Sequence, residues 1–151
     1  MNPATYIHYG SRNYNADSFQ PVTNINCIKP SGGLWVSNVN SKVPWSEWCA
    51  RNNYRVNSLS ADNCFYIKIK NTARILQIKS IADLRPLPKL TVNSLLKKLF
   101  PLVVYLDFEE LSNDYDAIEV TISESSELYW ALYGWDCDCT LIMNKDVIIY
   151  E

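Results

Sequence analysis

The sequence predicts an α+β domain: about seven short strands and three to four short helices around one core. Three observations predict it. The strand-like and helix-like segments do not follow one another in a regular βαβα order, which disfavours a doubly wound sheet. The length of 151 residues suits one domain. No internal repeat, low-complexity tract or linker divides the chain, so residues 1–151 read as one unit.

Each element has its own signal. Thr5–Tyr9 is rich in β-branched and aromatic residues and reads as a first strand. Gly10–Asp17 is polar and loop-like, and Phe19–Ile28 has no clear period because Pro21 and several asparagines interrupt it. Lys29-Pro30-Ser31-Gly32-Gly33 is a turn, and Leu34–Ser37 a buried strand after it. Pro44–Ala50 reads as a helix, with Pro44 in its first turn and Trp45, Trp48 and Cys49 on one apolar face. Cys64–Lys70 alternates, sending Phe65, Ile67 and Ile69 inward, and Arg74–Ile78 is expected as its hairpin partner across Asn71-Thr72.

In the second half, Ser80–Leu84 starts a helix that Pro86 and Pro88 stop. Thr91–Phe100 is expected as a helix with Leu95, Leu96, Leu99 and Phe100 on one side. Asp107–Asp114 reads as a short acidic helix or turn, Asp116–Ile122 as a strand, and Ser125–Leu132 as a helix with Leu128, Ala131 and Leu132 inward. Thr140–Met143 and Val147–Tyr150 are closing strands separated by the turn residues Asn144-Lys145-Asp146.

Composition narrows the function classes. Hydrophobic residues are 48% and charged residues 20% of the chain, as in an ordinary globular protein. A net charge of −2 lacks the basic bias of a protein held mainly by nucleic-acid phosphates. Lys89, Lys97 and Lys98 read as the wet face of a helix. No apolar run approaches the roughly 18–20 residues that span a bilayer, so no membrane association is expected. The five cysteines, Cys27, Cys49, Cys64, Cys137 and Cys139, are odd in number, irregularly spaced and not preceded by a signal-peptide pattern. They are expected to be free thiols in a reducing, cytoplasmic setting.

Several chemistries lack their residues. With only Gly10, Gly32, Gly33 and Gly134, there is neither a P-loop nor a Rossmann fingerprint. The one histidine, His8, rules out a multi-histidine metal site, and Cys137-Asp138-Cys139 has no second cysteine pair to complete a ligand set. No metal is expected. Nothing local marks a cysteine as an activated nucleophile partnered by His8.

What remains is a set of single polar residues on apolar strands: His8 closing the first, Ser37 closing the second, and Glu119 within Tyr115-Asp116-Ala117-Ile118-Glu119-Val120. Plain alternation would turn Glu119 and Thr121 to water while Ile118, Val120 and Ile122 face the core. Otherwise a carboxylate in so apolar a run needs a reason to be there. His8 could equally be a hydrogen-bonded structural histidine, and Trp35 a core residue.

Taken together, His8-Tyr9-Gly10-Ser11, Gly33-Leu34-Trp35-Val36-Ser37 and the Glu119 strand resemble, in order, the motifs of the ADP-ribosyltransferase fold. The match belongs to the branch that reads histidine, then an aromatic or serine-bearing strand, then glutamate. Two departures stand out. Tyr9 separates His8 from Gly10, and Ala117 stands where the arginine-modifying subgroup carries Glu or Gln before its catalytic glutamate. Lys29–Trp35 and the stretch from Leu128 to Asp136 also resemble small phage and bacterial proteins.

The resemblance implies a split, mostly antiparallel mixed β core and an enzyme that uses NAD as substrate. It would cleave the nicotinamide–ribose bond and pass ADP-ribose to a macromolecule, a protein before a nucleic acid. Glu119 would be catalytic, stabilising the oxocarbenium-like ribose. His8 would hold the other ribose, and Gly10 would let the backbone approach the nicotinamide carboxamide. Arg12 would meet the pyrophosphate, Ser37 would brace the site, and Ser11 and Trp35 complete the expected binding set with Tyr9 or Tyr54 stacking on nicotinamide. The RNA 2′-phosphotransferase type shares this fold but calls for more arginines and histidines. The reading from another class is a non-enzymatic phage or bacterial protein that sequesters a partner or a nucleotide. Five tryptophans and ten tyrosines would serve such an interface.

Overall fold

Period-two alternation along the strands sorts the apolar residues onto the two faces of one sheet. The computed structural model describes residues 4–25 and 29–150. Cys27 and the end of the Phe19–Ile28 stretch lie outside the described residues. The strands are β1 (Thr5–Tyr9), β2 (Leu34–Asn38), β3 (Cys64–Ile69), β4 (Ile75–Ile78), β5 (Ala117–Val120), β6 (Cys139–Ile142) and β7 (Ile148–Ile149), in spatial order β4-β5-β6-β2-β1-β3-β7. Among the described residues only β4 and β5 run parallel; the other pairings are antiparallel. The α+β class therefore holds.

Among the described residues five α-helices accompany the sheet, one more than the upper expectation: α1 (Trp45–Asn52), α2 (Ile81–Leu84), α3 (Ser94–Leu99), α4 (Phe108–Asp114) and α5 (Ser126–Ala131). Local capping sets several of their starts. The Ser80 and Asp83 side chains form a reciprocal capping box on α2. Asp107 accepts from the Glu110 amide at α4, and Ser125 from the Leu128 amide at α5. Leu84, Phe108, Leu111, Leu128, Ala131 and Leu132 then join Ile78, Ile118, Val120 and Leu141 in the larger core. The opposite face carries a smaller core of Tyr6, Val36, Phe65, Ile67, Ile69, Ala117 and Ile142, covered in part by Tyr14. Among the described residues no helix is long and apolar enough to cross a membrane.

Two expectations are corrected. Arg74–Ile78 does not form a hairpin with Cys64–Lys70. β4 pairs in parallel with β5 at the far edge, while β3 lies between β1 and β7. Arg74 explains the divergence: its backbone N–H and guanidinium both donate to Asp116, which ties the start of β4 to the start of β5. The helix expected over Thr91–Phe100 is shorter, starting after its Asn93 cap, and Leu95, Leu99 and Phe100 on its apolar side are exposed. Apolar spacing indicates which residues share a face, but not whether a neighbour covers that face.

Candidate functional site

The site arises where two adjacent strands part. β1 and β2 pair only through Tyr6–Asn38 and Ile7–Ser37. Beyond this joint β1 stays with β3 as far as Tyr9–Cys64, and β2 stays with β6 back to Leu34–Ile142. A cavity of about 630 Å³ occupies the divergence. This is within the size range of small-molecule pockets, roughly 300–1,000 Å³.

His8 stands in the gap. Its Nδ1 lies 2.7 Å from the Trp35 carbonyl oxygen, and its ring stacks on Phe65 at 4.9 Å between centroids. A carbonyl can only accept, so Nδ1 carries a proton. In the neutral ring Nε2 is then a free acceptor. Gly10 follows at φ +124, a conformation side-chain-bearing residues rarely adopt, and its amide donates to the Asn63 carbonyl at 3.0 Å. This pins the end of β1 to the segment before β3.

Ser37 is buried and works within the wall. Its Oγ accepts from the Trp45 amide at 3.0 Å and donates to the Asp138 carbonyl at 3.3 Å. It thereby joins the end of β2 to the start of α1 and to the segment entering β6. The Asp138 carboxylate is also buried and satisfied: it accepts from the Val43 amide and from the amide and hydroxyl of Ser123. These bonds fix the 136–139 segment, which brings Asp136, Cys137 and Cys139 to the cavity. Cys139 is a buried thiol whose pKa lies well above the ordinary value, first through its hydrogen bond with Cys137 and then through burial. It is not an activated nucleophile.

Of the residues expected at the site, His8, Tyr9, Gly10, Trp35 and Ser37 line this one cavity. Ser11, Arg12 and Tyr54 do not. Ser11 bonds the Asn13 carbonyl in the following turn, and Arg12 is exposed beside it. Tyr54 packs at the edge of Trp45 and Trp48, the outer part of an aromatic stack that supports the wall. The cations that line the cavity are Lys29 and Arg55. Lys29 Nζ sits 4.2 Å from the centre of a Trp35 ring, a cation–π contact. Trp45, Asn57, Asn63 and Asp136 also line it and escaped the sequence reading. No local pattern marks them. The one available signal was Lys29, the first residue of the turn before β2.

Glu119 does not line the cavity that holds His8. It borders a smaller one of about 230 Å³, together with Asn38, Ser41, Lys42, Glu124 and Thr140, and the two cavities share Cys139. Glu119 does alternate away from Ile118 and Val120, which are buried in the larger core. It faces a polar row set by register, Gln77–Glu119–Thr140 across β4, β5 and β6. Gln77 Nε2 donates to Oε1 at 3.0 Å, while the Thr140 hydroxyl and the Tyr6 hydroxyl donate to Oε2 at 3.1 and 2.9 Å. Burial, and next the nearby Glu119 charge, hold the Tyr6 hydroxyl well above the ordinary tyrosine value.

The arrangement can hold a flat ring against aromatic walls, an anion near Lys29 and Arg55, and hydroxyl groups near His8 and Asp136. No protein-family model, curated protein or solved structure matches this chain.

Proposed function

We propose that the chain binds NAD in the cavity between β1 and β2 and cleaves its nicotinamide–ribose bond, passing ADP-ribose to a macromolecular acceptor, a protein before a nucleic acid. The supporting observation is that five residues of the first two of the three motifs, His8, Tyr9, Gly10, Trp35 and Ser37, open onto a single cavity of suitable size. Aromatic walls, amide and hydroxyl groups and two cations are the chemistry a dinucleotide requires.

In this reading His8 accepts a ribose hydroxyl through Nε2, because Trp35 holds the other ring nitrogen. Lys29 and Arg55 meet the pyrophosphate, the role first expected of Arg12. Tyr9 or Trp45 stacks on a base, and a fixed carboxylate stabilises the oxocarbenium-like ribose. The resemblance assigns that carboxylate to Glu119, but Glu119 borders the smaller cavity and not this one.

One observation favours a second reading, a nucleotide-sequestering protein without turnover. Glu119 is held by three donors beside the smaller cavity. The test is to titrate the protein with NAD while following tryptophan fluorescence, and to assay nicotinamide release in a bacterial lysate. Binding with release supports the transferase. Binding without release in any lysate leaves the sequestering reading. Absence of both, with the fold intact, removes NAD as the ligand.

A further inference from the structure

Acidic side chains near the two cavities differ in what holds them. Asp138 is buried and accepts from the Val43 amide and from Ser123. Glu119 accepts from Tyr6, Gln77 and Thr140. Asp136 differs in both place and partnership. It is half-buried, it is the only carboxylate among the described residues lining the larger cavity, and it accepts no hydrogen bond and forms no ion pair with any described residue.

A carboxylate removed part-way from water without a partner is costly, and the cost is relieved when a ligand supplies the donor or the positive charge. Its position is well determined. The preceding residue, Trp135, is 1% exposed and meets Trp35 edge-on at 4.7 Å. The residue two places on, Asp138, is locked to Val43 and Ser123. Asp136 is thus held between two fixed residues on the cavity wall, with its own oxygens uncommitted. Such a preplaced charge can act on a transition state without reorganising.

We infer that Asp136, rather than Glu119, is the carboxylate that faces the NAD ribose in this cavity and stabilises its developing positive charge. This inference rests on the reading of the cavity as an NAD site. In the step it assists, the bond from the anomeric carbon to the nicotinamide nitrogen breaks. The electron pair stays with that nitrogen, which neutralises the pyridinium, and the ribose becomes an oxocarbenium ion. A lone pair of the acceptor, or of water, forms the new bond to the anomeric carbon, and the acceptor's proton leaves to solvent. Asp136 accepts a ribose hydroxyl hydrogen bond that strengthens as the charge develops. Its effect therefore falls on turnover more than on binding.

The experiment uses the full chain and NAD in a lysate that supports turnover, with Asp136→Asn, Asp136→Glu and Glu119→Gln beside the parent. Near-ultraviolet circular dichroism checks the fold of each. Asp136→Asn is expected to lower kcat about 100-fold. KM and the NAD fluorescence titration should move less than about threefold, because the amide keeps the shape and loses the charge. Asp136→Glu should recover part of kcat, and Glu119→Gln should keep turnover within about threefold of the parent. Loss of turnover in folded Glu119→Gln, with Asp136→Asn active, overturns the assignment. So does an Asp136→Asn defect that lies wholly in NAD binding. A parent that neither binds NAD nor releases nicotinamide overturns the NAD reading itself and this inference with it; that failure appears in the parent, before any variant is compared.

Discussion

The imidazole of His8 is tied to the carbonyl of Trp35, Nδ1 to oxygen at 2.7 Å, at the place where β1 and β2 stop pairing. The side chain takes the position a backbone donor would hold if the ladder continued. This bond closes the sheet above the joint, and it leaves Nε2 for the cavity.

Replacing His8 should therefore loosen the divergence and remove a ligand contact together. His8→Ala is expected to cost about 1–2 kcal/mol, from a half-buried carbonyl left without its donor and a lost stack on Phe65. On the proposed reading of the cavity as an NAD site, NAD affinity should fall about tenfold for the loss of one hydrogen bond. Chemical denaturation and the fluorescence titration read the two effects separately.

Tyr6→Phe tests the row around Glu119. The change removes the donor to Oε2 at 2.9 Å from a residue that is 3% exposed, leaving Gln77 and Thr140. A stability loss of about 1.5–3 kcal/mol is expected, the range for hydrogen bonds to charged groups. In the parent, the Tyr6 hydroxyl should titrate well above the ordinary tyrosine value in an ultraviolet pH titration. A phenol whose folded pKa is raised contributes stability below about pH 10, and that contribution fades as pH rises through the folded value.

The turn before β2 gives a steric prediction. Gly32 has φ +79, and a Cβ there would lie 2.1 Å from the Pro21 carbonyl oxygen. Gly134 has φ +89, but its nearest neighbour would be a Lys29 side-chain atom at 3.7 Å. Gly134→Ala should cost about 1 kcal/mol, from left-handed backbone alone. Gly32→Ala should cost more than about 3 kcal/mol, because backbone must move as well. Urea denaturation of the two variants should show that order, and equal costs would refute it.

Asp116 makes the fold sensitive to acid. The Arg74 side-chain hydrogen bonds, aided by the Arg74 amide and Asn144, hold its pKa at about 2, below the ordinary 3.8. A depressed carboxylate stabilises the fold above its unfolded value, and that contribution disappears as pH falls from near 4 through about 2. The effect should be on the order of 1–2 kcal/mol, since Arg74 is largely exposed and water screens its charge. Denaturation midpoints measured from pH 5 to about pH 2 should fall in the parent and flatten in Asp116→Asn.

Much of the secondary structure was legible because it is local. The alternation of Phe65, Ile67 and Ile69, the apolar spacing of Trp45, Trp48 and Cys49, and the inward face of Leu128, Ala131 and Leu132 each follow from one repeat length. The structure keeps all three, Trp45 and Trp48 being partly buried and the others buried, with Cys49 at 0% exposure. The proximity of β3 and β4 in sequence suggested a hairpin, but pairing is a long-range choice. Here the Arg74–Asp116 bonds take β4 to β5 across 42 residues of sequence separation.

The sequence by itself determined the α+β class, the main strands and helices, and the placement of His8, Tyr9 and Gly10 at the end of the first strand and of Trp35 and Ser37 on the second, because alternation, capping and turn chemistry act over a few residues. Only the tertiary structure decided which strands are neighbours. That choice gathered Lys29, Arg55 and Asp136 around His8 and set Glu119 beside a different cavity. The physical reason is that β6, not β5, lies next to β2. A residue's distance from a site depends on how many strands intervene, and no repeat in the sequence records that number.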